Sequence, residues 1–301
     1  MMIRRASFFI LSALLAACHA PAPDPQKDDT QTFGEVLMLA DEDFRDIVED
    51  QRRTFEAIYE RTQLRIRYLP ERELTTAMLS DSVRLVFAGF LPGAEQVRWF
   101  KSRGMSPHVE AIATDGIAVL VNPAAPFDTI SLAQLRAILG GNAAESLAAY
   151  KAIFNGSGSG AARTLVDSLF HGDAGMLKNA SAVANTEELL ARVASDPTAI
   201  GFFSYSLLCD LDDPTHRARR SGVELLAVAG SGPAVALTQS NLADGSYPLR
   251  RSIRMLVVET KSGLGTGFAS FAAGHKGQRI LLKRGLAPAH IPTREVELIA
   301  P

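Results

Sequence analysis

The chain has 301 residues, 47% of them hydrophobic, and a formal net charge of −2. That length and apolar share allow one large domain or two medium ones with a sizeable core. The near-neutral charge excludes the broad basic face of a nucleic-acid binder, so no nucleic-acid partner is expected.

The chain opens with Arg4 and Arg5, continues through an apolar run from Phe8 to Leu15 broken only by Ser12, and ends this stretch in Leu15-Ala16-Ala17-Cys18. A basic start, a short apolar run and small residues before the break are the pattern of a secretory signal. The cysteine in that place resembles the lipid-attachment residue of bacterial lipoproteins. An uncleaved anchor helix is the alternative, but the apolar run is shorter than the ~20 residues a span needs. The expectation is therefore a signal peptide over 1–17, removed to leave Cys18 as the acylated first residue (palmitate among its chains). The address is the cell envelope, periplasmic or outer surface, with the lipid as membrane anchor. Residues 18–32 carry Pro21, Pro23, Pro25, Asp24, Asp28 and Asp29 with little to bury, and are expected to form a disordered tether.

Beyond the tether, strand and helix signals alternate. Glu35 to Ala40 predicts a strand, and Phe44 to about Arg61 a helix, with Phe44, Ile47, Val48, Phe55, Ile58 and Tyr59 at three- and four-residue spacing. Asp41-Glu42-Asp43 is placed to cap that helix. A strand over Gln63 to Tyr68, a helix over Glu71 to Leu79, a strand over Val83 to Ala88 and a helix over Gly93 to Arg103 follow. Val109 to Val121 is the strongest apolar strand region and is expected to be interrupted at Thr114-Asp115-Gly116. A capped helix over Ser131 to Leu139 begins a second series: a strand near Ala152 to Phe154, helices over Ala161 to Phe170 and Thr186 to Ser195, and a strand over Ala199 to Phe203. Asp210 to Ser221 is expected to be a solvated loop. Strands at Val223 to Ala229 and Ser252 to Glu259 and one helix over Gly267 to Lys283 complete the series. The alternation argues an α/β fold with a largely parallel sheet. Cys209 has no disulfide partner once Cys18 is acylated and is expected to be a buried structural thiol.

The segment from Phe154 to Arg163 carries the main chemistry. A strand runs through Asn155-Gly156-Ser157-Gly158-Ser159-Gly160 into a helix start. Glycines let amides turn inward, the helix start adds partial positive charge, Ser157 and Ser159 add hydroxyls, and Arg163 offers a bidentate fork. An oxyanion loop and a plain surface loop both fit. Walker A is excluded because no lysine closes the loop, and the nucleophile elbow because Gly158 stands at the serine position. The six histidines are scattered without ligand spacing, so no metal is expected. No cofactor is expected, and no nucleophile–base pair stands out, so the chain is read as not an enzyme.

Four segments together resemble the phosphate-type periplasmic substrate-binding proteins of ABC transporters, in their lipoprotein form. They are Asp115 to Pro123 with Ser131 to Leu135, the Gly156 to Arg163 loop, Ala199 to Ser206, and Tyr247 to Arg251 with Phe268 to Phe271 and Gly277 to Pro288. The resemblance implies a type II periplasmic-binding-protein fold: two α/β lobes joined by two crossover strands, with a ligand cleft between them that closes by a hinge motion. Lobe one would be 33–113 plus 226–301, and lobe two 114–225. It also implies a monomer that captures a small anionic solute, phosphate or a phosphate-like oxyanion, for an ABC permease. Ser157, Ser159, Gly160 and Arg163 would supply donors from lobe two, with Asp43 and Glu71 lining the lobe-one side. The chain departs from the family at Ala161, where the family has a threonine, and at Asn155, where phosphate binders commonly carry an arginine. Asp41-Glu42-Asp43 stands where hydroxyl residues are usual. These acidic loops suit a ligand with a cationic or hydroxyl-rich part better than a dianion. The second reading is a non-transport ligand sensor or adaptor lipoprotein on the same fold.

Overall fold

The computed structural model describes residues 29–259 and 261–291. The predicted signal over 1–17, Cys18 and most of the tether lie outside the described residues.

The first series is β1 (Gly34–Asp41), α1 (Arg45–Ile58), β2 (Thr62–Leu69), α2 (Glu71–Ala77), β3 (Leu85–Ala88) and α3 (Ala94–Ser102). The long strand β4 (His108–Val121) leads into β5 (Thr129–Ser131), α4 (Leu132–Gly140), β6 (Lys151–Phe154), α5 (Gly160–Phe170), β7 (Ala180–Ala182), α6 (Thr186–Ser195) and β8 (Ala199–Ser204). Then come α7 (Pro214–Arg220), β9 (Glu224–Leu225), β10 (Ala227–Ala229), β11 (Ala234–Val235), α8 (Gln239–Ala243), β12 (Arg250–Val257), α9 (Leu264–Ala273), α10 (His275–Lys283) and β13 (Ala287–Pro288).

The strands run in the order β2-β1-β3-β12-β4-β8-β6-β7. Strand β4 belongs to both halves: 108–116 pair with β12 and 117–121 with β8. The fold is thus two α/β lobes sharing a crossover strand. β1 runs parallel to β2 and β3, and β6 parallel to β7 and β8, while β12 and β4 are antiparallel to their neighbours. After β9, strands β10 and β11 stay beside β5 in a small three-stranded sheet, and the chain joins the lobe-one sheet at β12.

Burial on both faces explains the continuous apolar runs. In β1, Met38 and Ala40 face the main core with α1, while Leu39 faces a second cluster with Leu74, Met78, Val86, Phe100 and Leu256. Phe55 of α1 meets Phe268 and Phe271 of α9 edge-on, each at 5.3 Å, which fixes that helix pair over the sheet. Ser131 caps α4 through a capping box with Gln134.

Three expectations need correction. Strand β4 runs unbroken through Thr114-Asp115-Gly116, because the Asp115 carboxylate is fully hydrogen-bonded inside the protein and the strand has no need to turn it to water. Residues 210–221 are not a solvated loop: Asp213 caps α7, His216 is buried, and Arg219 and Arg220 donate to the carbonyls of Leu207 and Leu208. The helix expected over 267–283 is two helices, since Gly274 takes an extended conformation between α9 and α10. Cys209 is buried, and burial holds its thiol well above the ordinary range.

Candidate ligand-binding site

The carboxyl ends of β1, β2, β3, β6 and β8 meet where the two lobes face each other, the usual place for a ligand crevice in an α/β sheet. Each strand delivers one polar group there. β1 ends in Asp41, which caps the short turn Glu42–Phe44 by accepting from the Asp43 amide, and so directs Asp43 inward. Glu71 opens α2 after β2, and Gly89 follows β3. From lobe two, Asn155 follows β6, Ser159 caps α5, and Ser204 ends β8.

Arg251 of β12 is the centre of the cluster. Its side chain is 3% exposed. Its Nε donates to Asp115 Oδ2 at 3.0 Å, its Nη2 to Asp43 Oδ2 at 3.4 Å, and its Nη1 lies 3.8 Å from Glu71 Oε2. The guanidinium rests over the Phe44 ring at 4.8 Å, a cation–π contact. Asp115 also accepts from Ser204 Oγ at 2.6 Å and from the Ser206 amide at 3.1 Å.

Glu71 reaches across to the other lobe. Its carboxylate takes the Arg163 fork, Nε to Oε1 and Nη2 to Oε2 at 3.3 Å. Arg163 Nη2 also donates to the Gly89 carbonyl at 2.9 Å, and Nη1 to Asp167 at 2.8 Å. Further bonds bridge the lobes: Asn155 Nδ2 to Asp43 Oδ1 at 2.9 Å, Ser206 Oγ to the Asp43 carbonyl at 2.7 Å, and the Arg72 amide to the Gly158 carbonyl at 3.1 Å. His216 accepts the Asp210 amide on Nδ1, which leaves Nε2–H to donate to Asp46 Oδ2 at 3.2 Å.

Four buried carboxylates, Asp41, Asp43, Glu71 and Asp115, therefore face two guanidiniums, Arg251 and Arg163. Burial, with Asp43 close by, pushes the Asp41 carboxyl well above its usual range. Burial raises Asp43 too, against the opposing pull of Arg251 and the hydrogen bond from Asn155. Arg251 is held protonated: burial opposes its charge, but Asp115, Asp41, Asp43 and Glu71 together override that. Three buried polar atoms here have no hydrogen-bond partner: Asp41 Oδ2, Asn155 Oδ1 and Arg251 Nη1, the last facing the charge of Glu71 Oε2 at 3.8 Å. A donor on Arg251, an acceptor on Asn155 and an Asp41 oxygen whose role follows its protonation are thus left for a ligand or water.

Of the residues expected from sequence, Asp43, Glu71, Gly160 and Arg163 converge on Arg251. Ser159 is buried at the crevice edge, and its hydroxyl accepts from the Ala162 amide as a helix cap. Ser157 is exposed instead and lines an adjoining cleft of 760 Å³ with Glu42, Arg67, Arg72 and Glu73. Sequence reasoning placed Asp41 in the ligand-facing first loop but named only Asp43 from it as a site residue, and it did not assign Arg251 or Asp115 to the site. The signal for Arg251 was present: Leu249, Ile253, Met255 and Val257 share its alternate positions and are buried, so period-two alternation puts Arg251 inside and Arg250 outside. Asp115 stands alone in the most apolar strand, and a carboxylate there requires a buried partner. The two are cross-strand neighbours in register. Among the described residues no cluster of His, Cys, Asp and Glu is arranged to hold a metal ion, and no helix is long and apolar enough to cross a membrane.

Comparison with known proteins identifies the fold. The family described as "PBP superfamily domain" matches residues 25–276. A solved structure described as a phosphate ABC transporter substrate-binding protein with bound phosphate, from Clostridium perfringens, is similar with a TM-score of 0.70 at 18% identity, covering 85% of this chain and 100% of that one. An ABC-type phosphate transport receptor from Vibrio cholerae is similar with a TM-score of 0.66 at 14% identity, covering 84% and 99%. The CcmR regulatory domain of Synechocystis PCC6803, in complex with 2-PG, is similar with a TM-score of 0.53 at 12% identity, covering 79% and 95%. No curated protein matches the chain.

Proposed function

We propose that this chain, which belongs to the PBP superfamily, is a lipid-anchored extracytoplasmic solute-binding protein. On this reading it captures a small oxyanion, phosphate or a phosphate-like group, and presents it to an ABC permease as a monomer. The observation that carries the reading is the convergence of Arg163, the Nη1 of Arg251, which makes no hydrogen bond, and the first turn of α5 on one buried spot between the lobes. The first amides of a helix have no intrahelical acceptor and favour an anion. The fold's likeness to phosphate-binding transport proteins supports the same class of ligand. The Asp41 Oδ2, which has no hydrogen-bond partner, would suit an oxyanion in either form: as a carboxylate it accepts from a protonated oxyanion, and as the neutral acid it donates to an ionised one. The role is non-enzymatic: the crevice groups hold charge and hydrogen bonds, and the Ser159 hydroxyl is engaged with the Ala162 amide rather than with a base.

A second reading, a sensor or adaptor on the same fold, is favoured by the number of interlobe bonds that the protein makes with its own side chains. Titration calorimetry with phosphate, sulfate and a panel of metabolites separates the two. Binding of an oxyanion is expected; failure to bind any small solute would sink the transport reading. Membrane attachment is tested by fractionating cells that express Cys18→Ala. That variant is expected in the soluble envelope fraction, and its retention on membranes would overturn lipid anchoring through Cys18.

A further inference from the structure

The crevice is filled by a group that belongs to the protein. Glu71 is 2% exposed, and both of its oxygens meet Arg163 in the paired fork that an arginine also offers to phosphate. Oε2 also lies against the backbone of both lobes. A Cβ added at Gly160 would stand 2.8 Å from it, and one added at Gly89 would stand 3.0 Å away. The carboxylate therefore sits at the first turn of α5, between Arg163 and Arg251, in the place where an external oxyanion would receive the same donors.

We propose that Glu71 is an internal stand-in for the oxyanion, filling the seat between α5, Arg163 and Arg251, so that an external tetrahedral oxyanion enters only when this carboxylate swings out. The inference rests on reading the crevice as an oxyanion seat. Charge supports it. Adding a dianion beside Glu71, Asp43 and Asp115 sets like charges together in a buried space, whereas exchange of Glu71 for the anion keeps Arg163 and Arg251 partnered. On this proposal the carboxylate leaves toward the adjoining cleft. The adjoining cleft is lined by Pro70 and Arg72, on either side of Glu71 in the chain, and by Arg67. The exposed Arg67 and Arg72 put two positive charges on the wall of that cleft.

The test is calorimetry with inorganic phosphate on the wild-type chain, Glu71→Ala and Glu71→Gln, with thermal melting in parallel. Glu71→Ala is expected to bind phosphate about a hundredfold more tightly than wild type, because like-charge juxtaposition in a buried site costs several kcal/mol. Glu71→Gln keeps the side-chain volume while removing the charge, and is expected to fall between them. Phosphate is expected to raise the melting temperature of Glu71→Ala well above its effect on wild type, since the anion then neutralises two arginines left without Glu71. If the alanine variant does not fold, the glutamine variant carries the comparison. Wild type binding phosphate as tightly as the variants would overturn the stand-in role and leave the oxyanion seat intact. No binding of phosphate by any of the three would overturn the seat itself, and the inference with it.

Discussion

Arg251→Met is expected to destabilise the protein by about 3–5 kcal/mol at neutral pH, the scale seen when one partner of a buried ion pair is removed and the other is left without compensation. Methionine keeps an apolar chain of similar length against Phe44, so lost packing is a minor part of the effect. The main part is electrostatic: Asp115 loses its Nε donor, Asp43 its Nη2 donor, and Glu71 a nearby positive charge. The pH dependence identifies the cause. Asp41 and Asp43 already have folded-state carboxyls raised by burial, with Arg251 pulling the other way. For such groups the stabilising contribution is fully present below the unfolded carboxylate range and is lost as pH rises through the folded value. Without Arg251 those folded values rise further and the loss at neutral pH grows. The gap between wild type and variant should therefore be widest near pH 7 and should shrink as pH falls into the carboxylate range. Urea unfolding of both proteins at several pH values measures it. A gap that stays constant with pH, or no gap, would show that the cluster is not held by Arg251.

Much of the scaffold was legible in the sequence because its strands and helices obey local rules. Period 3.6 in α1, the capping box at Ser131 and the Gly/Ser approach to α5 each depend on neighbours a few residues away. What local rules miss depends on distant partners. Asp115 reads as a strand breaker until Ser204, Ser206 and Arg251, far along the chain, supply its hydrogen bonds. Residues 210–221 read as a solvated loop because their partners, Asp46 of α1 and the carbonyls of Leu207 and Leu208, are brought together only by the fold. The candidate site shows the same division. Glu71, Arg163 and Gly160 were legible as helix-start residues facing a crevice. Their mutual pairing was not, because an arginine placed to bind an anion and an arginine already bound to a glutamate look alike in sequence. Arg251 shows where inference from pattern reaches further than motif: alternation in β12 places it inside, and a buried arginine requires carboxylates.

Gly160→Ala is expected to destabilise the closed arrangement by about 1–3 kcal/mol, the usual cost of overpacking a filled interior. Gly160 is the first residue of α5, where helix propensity alone would make alanine better than glycine by up to about 1 kcal/mol. The two effects have opposite sign, so the outcome decides between them. Sterics should win here. A Cβ at Gly160 would overlap Arg251 Nη1 and stand 2.8 Å from Glu71 Oε2, and Arg251 is held in place by Asp115, Asp43 and the Phe44 ring. Moving the guanidinium aside would strain or break its bonds to Asp115 and Asp43. Gly160 belongs to lobe two and Arg251 to β12 of lobe one, so the least costly relief is separation of the lobes rather than damage within either. Small-angle scattering should then show a larger radius of gyration for Gly160→Ala, with circular dichroism unchanged. Calorimetry should show weaker binding of any solute that needs the closed crevice. An alanine variant that is as compact as wild type and equally or more stable would mean that the Gly160–Arg251–Glu71 contact does not hold the lobes together.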